Sequence, residues 1–331
     1  MKIYRVKETS PYITLSYEEL ITKDPEMSGD ILMIYQHDNA VIIGKNQNAY
    51  EEIKRDYVEA NKIELARRIS GGGAVYHDLG NINFSFITDY DKKGGYERFL
   101  KPIIDFLNSL GLNAVFHGRN DLLCNGAKIS GNAQFIHKNR IVSHGTLLFD
   151  VDLSKLSNAL NPSKLKIQSK GIQSIRQRVT NIAKELNYSM KVDEFIDRLI
   201  KFFVENYGAS YEEIPTQKYT KQLKELSDIR KSHECIYGKN PNFMAENVDK
   251  FAGGIIKVKY TVENDKFKDF AFEGDFLSKK NVEEVSELII GKNYDREEFL
   301  DFLNKLNDSN NFEEYFGSLK PEEIANLVFG K

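Results

Sequence analysis

The chain has 331 residues, a typical length for two domains. Hydrophobic residues make up 41% and charged residues 29%, with a net charge of −3, which excludes a disordered chain and a surface that is polybasic overall. Cys124 and Cys235 are too few for a disulfide framework or a four-cysteine zinc site, and no apolar run reaches the roughly 18 residues of a membrane span. We therefore expect a soluble, cytoplasmic protein without a targeting segment.

The first two thirds of the chain alternate between strand-like and helix-like patterns. Residues 81–88 alternate cleanly, with Ile82, Phe84 and Phe86 on one face and Asn83 and Ser85 on the other, as in a half-buried strand. The other predicted elements are a helix at 12–22, a hairpin of 31–35 with 40–43, a helix at 96–110, two strands at 128–135 and 140–150 joined across 137–139, and a helix at 192–207. Strands that arrive mostly as hairpins favour an α+β fold with a mixed or antiparallel sheet.

A second unit is predicted from residue 247. Gly253 and Gly254 open a strand, which a turn at 263–265 joins to a returning strand at 267–272. Helical patterns follow at 281–290 and 296–306, and a short helix closes the chain. We therefore predict a large domain at 1–246 and a small α+β accessory domain at 247–331.

The most unusual segment is RRISGGGAVYHDLGN at residues 67–81. Three consecutive glycines let the backbone approach a ligand closely and turn its N–H groups toward an anion. Arg67 and Arg68, directly before them, carry forked donors that suit phosphate or carboxylate. The segment is neither a Walker loop nor a dinucleotide fingerprint, because the remaining residues of those motifs are missing.

Three further segments carry chemistry-bearing residues. In residues 118–133, Lys128 follows an Asn-Gly turn among small neighbours, where its ammonium can project into a cleft and meet a phosphoryl oxygen. His144 lies in a strand at 143–148, and a basic stretch with a glycine occupies 168–181. No HExxH or CxxC motif is present, so zinc hydrolysis has no support.

Together these four segments resemble the lipoate–protein ligase family. The family's RRxSGGGAVFHDxGN signature corresponds to residues 67–81, its GRNDL and K(V/I)SG elements to 118–131, its HHGTLL to 143–148 and its KGIxSVRxRVTN to 170–181. Residues 11–19 are similar to the family's PWFNLALEE. Tyr12, Tyr76, Ala127 and Ser143 depart from these patterns. The resemblance runs essentially from end to end and includes the accessory domain.

The resemblance implies a catalytic domain of the biotin/lipoate ligase type and two half-reactions. Lipoate and ATP, with Mg²⁺, give lipoyl-AMP and pyrophosphate. The lipoyl group then passes to a lysine of a lipoyl domain of a 2-oxoacid dehydrogenase E2 subunit or of the glycine-cleavage H protein. We expect neither nucleic acid nor a membrane as a partner. Lys128 corresponds to the catalytic lysine, and Asp121 is a candidate Mg²⁺ ligand. The implied lipoate- and adenylate-binding residues are Arg68, Ser70, Gly71, Gly72, Gly73, Val75, Tyr76, Asn81, Asn83, Asn120, Asp121, His144, Gly145, Thr146, Lys170 and Arg178.

Three alternatives stay open. The first is an ATP-independent octanoyl or lipoyl transferase of the same superfamily, which forms a thioester on a cysteine. One such relative has its nucleophile at the position that is Ile141 here. The nearby thiol in this sequence is that of Cys124. Biotin–protein ligases carry a GRGRxGR loop, which is absent here. A non-catalytic acyl-adenylate carrier is disfavoured because Lys128 is present.

Overall fold

The computed structural model describes residues 1–92, 94–161, 179–238, 243–308 and 311–330. Its strands are β1 (Lys2–Arg5), β2 (Ile31–Tyr35), β3 (Ala40–Ile43), β4 (Glu64–Arg67), β5 (Val75–His77), β6 (Asn81–Asp89), β7 (Ala114–His117), β8 (Asp121–Cys124), β9 (Ala127–His137), β10 (Arg140–Leu148), β11 (Ser210–Glu212), β12 (Ala245–Phe251), β13 (Gly254–Glu263) and β14 (Lys266–Gly274). Its helices are α1 (Pro11–Lys23), α2 (Ala49–Glu52), α3 (Arg55–Ala60), α4 (Tyr96–Ser109), α5 (Leu153–Ala159), α6 (Ile182–Glu185), α7 (Val192–Tyr207), α8 (Thr216–Lys231), α9 (His233–Tyr237), α10 (Glu283–Ile289), α11 (Arg296–Asp308), α12 (Phe312–Phe316) and α13 (Pro321–Phe329).

The large domain is built on a mixed sheet in the order β11-β1-β2-β6-β10-β9-β8-β7. β1 runs parallel to both of its neighbours, and the pairings from β2 to β7 are antiparallel. The predicted α+β class with a mixed sheet is confirmed. None of the described helices is long and apolar enough to cross a bilayer.

The two faces of this sheet differ in chemistry because its strands alternate. Ile82, Phe84 and Phe86 of β6 point into the main core, where they meet side chains of α4 and α7 such as Phe106 and Phe195. The predicted strand is thus confirmed, but it is not half-buried, because a second layer covers its other face. The intervening residues of β6, Asn81, Asn83 and Ser85, lie on the opposite face and are buried as well. That second face is covered by α1 and by a smaller sheet.

The predicted hairpin of β2 and β3 is wrong. β2 pairs with β1 and β6, whereas β3 pairs with β4 and β5 in the separate three-stranded sheet. Every residue of both strands is buried, so neither strand carries the polar–apolar alternation that would indicate its partner. Asn39, with a positive φ of 47°, lies in the turn that takes the chain from one layer to the other.

The accessory module, residues 245–330, has its own core around β13, β14 and α10 to α13. β12, which the sequence analysis did not foresee, pairs with β13 from Ala245 onward, so the predicted division at residue 247 falls inside a strand. Two helices close the chain instead of one. The module lies against the large domain: the N–H of Ile136 donates to Lys279 O at 2.8 Å, and Lys257 Nζ lies 2.6 Å from a carboxylate oxygen of Glu51.

The start of β6 depends on a close approach at Gly80. A Cβ at this position would lie 2.0 Å from the carbonyl oxygen of Asp150, a backbone atom that cannot move aside cheaply. We expect Gly80→Ala to lower the free energy of unfolding by about 1–3 kcal/mol, measured by urea titration. Gly94→Ala is the matched control, since its Cβ would make only ordinary contacts; a change within about 0.5 kcal/mol is expected. Equal losses for both variants would contradict the packing at Gly80.

Candidate active site

A stripe of polar side chains lies between the two sheets. β10 pairs with β6 so that His144 is opposite Ser85, and Thr146 is opposite Asn83. Because side chains alternate along each strand, these four share the face that is turned away from the main core. Asn81 continues the stripe, and its Nδ2 donates to Asn83 Oδ1 at 3.2 Å. The structure therefore brings together four predicted residues: Asn81, Asn83, His144 and Thr146.

The stripe is held by a buried carboxylate on α1 that the sequence analysis did not assign. Glu18 Oε1 accepts hydrogen bonds from Ser85 Oγ at 2.7 Å and from His144 Nδ1 at 2.9 Å. Burial alone would raise the pKa of Glu18, but His144, Ser85 and Arg230 hold it below its ordinary value, so the group stays anionic. The available signal was a carboxylate four residues after Thr14, on the inward face of a helix, where acidic residues are rare.

His144 connects this carboxylate to the glycine-rich loop. Its Nε2 lies 2.6 Å from Ser70 Oγ. In the tautomer that carries its proton on Nδ1, the ring donates to Glu18 and its Nε2 accepts a hydrogen bond from the Ser70 hydroxyl. Ser70 Oγ in turn accepts from Arg68 Nε at 3.2 Å. The result is a continuous hydrogen-bonded series that runs from the loop to α1.

Arg68 organises the glycine-rich loop from within. Its guanidinium donates to the carbonyls of Gly71 and Gly73, both at 2.8 Å, and to Ile42 O at 3.2 Å. Burial lowers the pKa of Arg68 to about 10, so the side chain remains charged at neutral pH. Gly72 has a φ of +92°, which favours glycine, and a Cβ at Gly44 would collide with Gly72 O. These contacts fix the conformation of the loop.

The loop's backbone N–H groups have a different partner from the expected anion. The N–H of Gly71 donates to Ser278 O at 3.3 Å, and that of Gly72 donates to Phe276 O at 3.2 Å; both acceptors belong to the accessory module. A Cβ at Gly71 would lie 2.6 Å from Ser278 N. In this structure, glycine at position 71 is therefore required by the module that covers the loop.

Lys128 reaches the polar face because of a β-bulge. The register between β8 and β9 shifts so that Leu123 pairs with Lys128 while Leu122 pairs with Ser130. A bulge re-aims the side chains around it, and the ammonium of Lys128 lies over Gly131, whose N–H donates to Thr146 Oγ1 at 3.2 Å. Lys128 is therefore next to the polar stripe, and its side chain is 35% exposed.

Asp121 and Asn120 lie at the same edge. Asp121 Oδ1 is 2.6 Å from Lys128 Nζ. Asn120 forms reciprocal side-chain contacts with Asn132, which fix the entry into β8. Within the described ranges, no group of three or more His, Cys, Asp or Glu residues could hold a metal ion. Asp121 as a Mg²⁺ ligand stays a prediction.

Several candidate residues contact other parts of the molecule. Tyr76 points to the opposite face of β5, into an apolar cluster with Val58 and Leu65, so only its backbone faces the site. Gly145 is needed for packing, because a Cβ there would meet Asn132 Oδ1 and the ring of Phe84. Val75 packs with Leu15, Ala40, Ile42, Ala66 and Tyr12 in a small apolar cluster between α1 and the smaller sheet.

Two candidates, Lys170 and Arg178, lie outside the described residues. The chain re-enters the described part at Val179, which forms a bridge with Lys128, and the N–H of Thr180 donates to Lys128 O at 3.0 Å. The backbone that follows residues 162–178 is therefore attached next to the predicted catalytic lysine.

A pair of buried histidines was also missed. His37 Nδ1 lies 3.0 Å from His77 Nδ1, and burial lowers the pKa of His37 to about 3 and holds that of His77 well below its ordinary value. Both rings are therefore neutral. Within the described residues, His77 Nε2, Glu18 Oε2 and Asn81 Oδ1 are buried without a hydrogen-bond partner. Unpaired buried polar atoms are costly unless a ligand or water meets them, which supports a binding site between the sheets.

Comparisons with known proteins agree with this geometry. Residues 10–204 match the family model of the lipoyl protein ligase A/B catalytic domain, and residues 240–328 match that of the bacterial lipoate protein ligase C-terminus. The chain is 40% identical to the lipoate-protein ligase LplJ of Bacillus subtilis (strain 168), over 96% of this chain and 97% of the relative.

Solved structures show the same fold. The LipL1 protein of P. falciparum in complex with lipoate superposes with a TM-score of 0.82 at 22% identity, over 100% of this chain and 99% of the other. An archaeal bipartite lipoate protein ligase with its E2 lipoyl domain, from Thermoplasma acidophilum, gives 0.62 at 31% identity, over 74% and 98%. A lipoate-protein ligase A bound with ATP gives 0.61 at 30% identity, over 72% and 98%. With family models that cover most of its length and a relative of 40% identity, the chain belongs to the lipoate–protein ligase family.

Proposed function

We propose that this ligase activates lipoate with ATP, forming lipoyl-AMP and pyrophosphate, and then transfers the lipoyl group to a lysine of an acceptor protein. The observation that carries the proposal is the position of Lys128: a bulge turns its ammonium to the polar face that also holds His144 and Thr146. His144 contacts Ser70, directly before the three glycines. A cation and a glycine-rich loop thus meet at one polar stripe.

The physical demand of the first step explains these residue types. Joining a carboxylate to an α-phosphate brings two anions together, so the site must neutralise repulsion and stabilise charge on the transferring phosphorus. Lys128 supplies a compact ammonium for this purpose. Asp121 holds that ammonium at 2.6 Å, and the two side chains are about one-third exposed, so an entering phosphate can compete for the lysine.

The apolar end of lipoate requires an apolar surface nearby. The cluster of Leu15, Ile42 and Val75 lies between α1 and the smaller sheet, on the same side of α1 as Glu18. Each methylene group of the acyl chain buried there contributes roughly 0.8 kcal/mol. We infer that the acyl chain lies against this cluster with its carboxyl group toward Lys128.

Mg²⁺ fits this site only as a nucleotide-borne ion. Asp121, the carboxylate next to Lys128 in the described structure, is already paired with that lysine. Mg²⁺ in ATP-dependent sites is commonly held by one or two carboxylates together with substrate phosphates and water. When bound, it would neutralise phosphate charge, with Asp121 as the candidate protein ligand.

The acceptor is proposed from the relatives. The archaeal ligase was solved with its E2 lipoyl domain. We infer that the present ligase acts on lipoyl domains of 2-oxoacid dehydrogenase E2 subunits or on the glycine-cleavage H protein, in the cytoplasm where ATP and such acceptors meet. The direct test is lipoate-dependent ATP–pyrophosphate exchange, followed by transfer to an apo lipoyl domain. Absence of lipoate-dependent exchange would contradict the proposed function.

The transferase alternative requires a cysteine nucleophile, and among the described residues around the stripe there is none. Cys124 is fully buried in the main core with Leu122 and Ile129, on the side away from the stripe, and burial raises the pKa of its thiol. Ile141 is buried in the same core. An attacking thiolate needs an exposed, cationic setting, which these positions lack.

Lys128→Ala tests the central assignment. We expect adenylation to slow by about 10²–10³, the usual effect of losing one electrostatic stabiliser, and transfer from preformed lipoyl-AMP to slow as well. Lys128→Arg should rescue little, because a planar fork does not replace a point charge. The midpoint of urea unfolding should stay unchanged, since the side chain is partly exposed.

The matched control for this substitution is Lys184→Ala, because Lys184 is an exposed lysine on α6. It should leave both rates unchanged. Rates within a few-fold of the unmodified enzyme in folded Lys128→Ala would show that Lys128 is an ordinary surface lysine.

Cys124→Ala separates the ligase from the transferase reading. Adenylation chemistry needs no thiol, so both half-reactions should persist, with at most a small loss of stability from the cavity left in the core. Mass spectrometry after incubation with lipoate and ATP should find no acyl-thioester on the unmodified enzyme. Abolished activity together with a trapped thioester at Cys124 would overturn the ligase mechanism.

A further inference from the structure

A buried proton path leads from the glycine-rich loop to α1. Ser70 Oγ lies 2.6 Å from His144 Nε2, and His144 Nδ1 lies 2.9 Å from Glu18 Oε1. Ser70 and Glu18 are fully buried, and His144 is 7% exposed. A hydroxyl, an imidazole and a carboxylate in this order form the arrangement by which a neutral histidine draws a proton from a hydroxyl while the carboxylate fixes its tautomer.

The proposed transfer step needs such a path. A free lysine has a pKa of about 10.4, so the acceptor lysine arrives as an ammonium and must lose a proton before its nitrogen can attack. Lys128 and Arg68 are cations, and Asp121 is paired with Lys128. His37 and His77 are not placed to accept this proton, because they contact each other and His37 also contacts Thr14, whereas the histidine that contacts Ser70 in the described structure is His144.

We propose that His144 accepts, through the hydroxyl of Ser70, the proton that the acceptor lysine loses, and that Glu18 is the positioning residue that stabilises the resulting imidazolium. The inference rests on the proposed function and deepens it. Ser70 Oγ takes a proton from the ammonium while its own proton passes to His144 Nε2. The free amine attacks the acyl carbon, and the bond from that carbon to the phosphate oxygen breaks with its electron pair leaving on AMP. The nitrogen's second proton leaves to water.

Charged and titratable groups from several elements surround His144. Glu18 on α1 contacts its Nδ1. Arg68 donates to Ser70 beside the loop, and the neutral ring of His77 lies on β5. Tyr35 on β2 and Ser85 on β6 donate to Glu18, and Arg230 on α8 offsets part of its charge. Loss of the Glu18 charge should therefore weaken proton acceptance at His144.

The proton relay formed by Ser70, His144 and Glu18 also limits how the acceptor lysine can enter the site. Phe276 and Ser278 of the accessory module accept from the N–H groups of Gly72 and Gly71, directly beyond Ser70. The acceptor lysine reaches Ser70 only after these two contacts are released. The experiment therefore starts from preformed lipoyl-AMP bound to the full chain, so that adenylation does not enter the measured rate.

The test compares two acceptors in single-turnover transfer. An apo lipoyl domain presents an ammonium that must lose a proton first, whereas hydroxylamine is uncharged at neutral pH and can attack directly. We expect His144→Gln to slow transfer to the lysine by about 10²–10⁴, the range for general-base catalysis, while transfer to hydroxylamine stays within a few-fold. Ser70→Ala and Glu18→Gln should show the same selectivity. His37→Gln, a buried histidine outside the relay, is the matched control and should slow neither reaction selectively.

A pH profile of the unmodified enzyme provides a second readout that needs no variant. If His144 takes the proton, the rate of transfer to lysine levels off near the titration range of an imidazole, well below the lysine's own pKa. A rate that climbs steadily to about pH 10 would overturn the relay, as would lysine and hydroxylamine transfer that fall in parallel in His144→Gln. Failure of the proposed function is a separate result, because it shows as no lipoate-dependent pyrophosphate exchange in the unmodified enzyme.

Discussion

The carboxylate of Glu18 lies on a helix that packs between two sheets, at a depth where an unpaired charge would cost several kcal/mol. Three neighbours contact its Oε1 atom: Ser85, Tyr35 and His144, each from a different strand of the main sheet. The polar side chains of these strands therefore compensate one oxygen of this buried anion, while Oε2 stays without a partner in the described structure. Removing any partner would leave charge or hydrogen-bonding capacity unmatched, so α1, β2, β6 and β10 are held in one register by it.

The same constraint places the candidate site. Because side chains alternate along β6, its residue that contacts Glu18 is on the face opposite the main core, which Ile82, Phe84 and Phe86 enter. The bulge in β9 adds a cation to this face, and the loop that follows β4 adds a serine and three glycines. The buried hydrogen bonds that hold α1 against the main sheet are thus the same ones that position the candidate site residues.

Local pattern was sufficient for much of this arrangement. The alternation of β6, the β9–β10 hairpin and the helical spacing of α7 are all visible in the sequence, because each depends on near neighbours. The strands that pair with β2 could not be predicted from the sequence, because a wholly apolar strand can be buried in either sheet. Glu18 was missed because its function comes from His144, which is 126 positions away along the chain. The contact of Ser278 with Gly71 was equally hidden, since it joins two modules.

In the described structure neither cysteine lies at the polar stripe, and activation of the acyl group by a nucleotide needs none. Within the described structure, Cys124 lies in the apolar core, and Cys235 is half-buried on α9 with its carbonyl held by Arg67. An acyl group in this site therefore gains its leaving group from AMP. What the chain must supply is charge neutralisation while the anhydride forms and proton removal while it is consumed. In the proposed mechanism Lys128 and the series Ser70–His144–Glu18 divide these two tasks, and because Lys128 on β9 and His144 on β10 share one face of the sheet, a single bound acyl-adenylate can meet both.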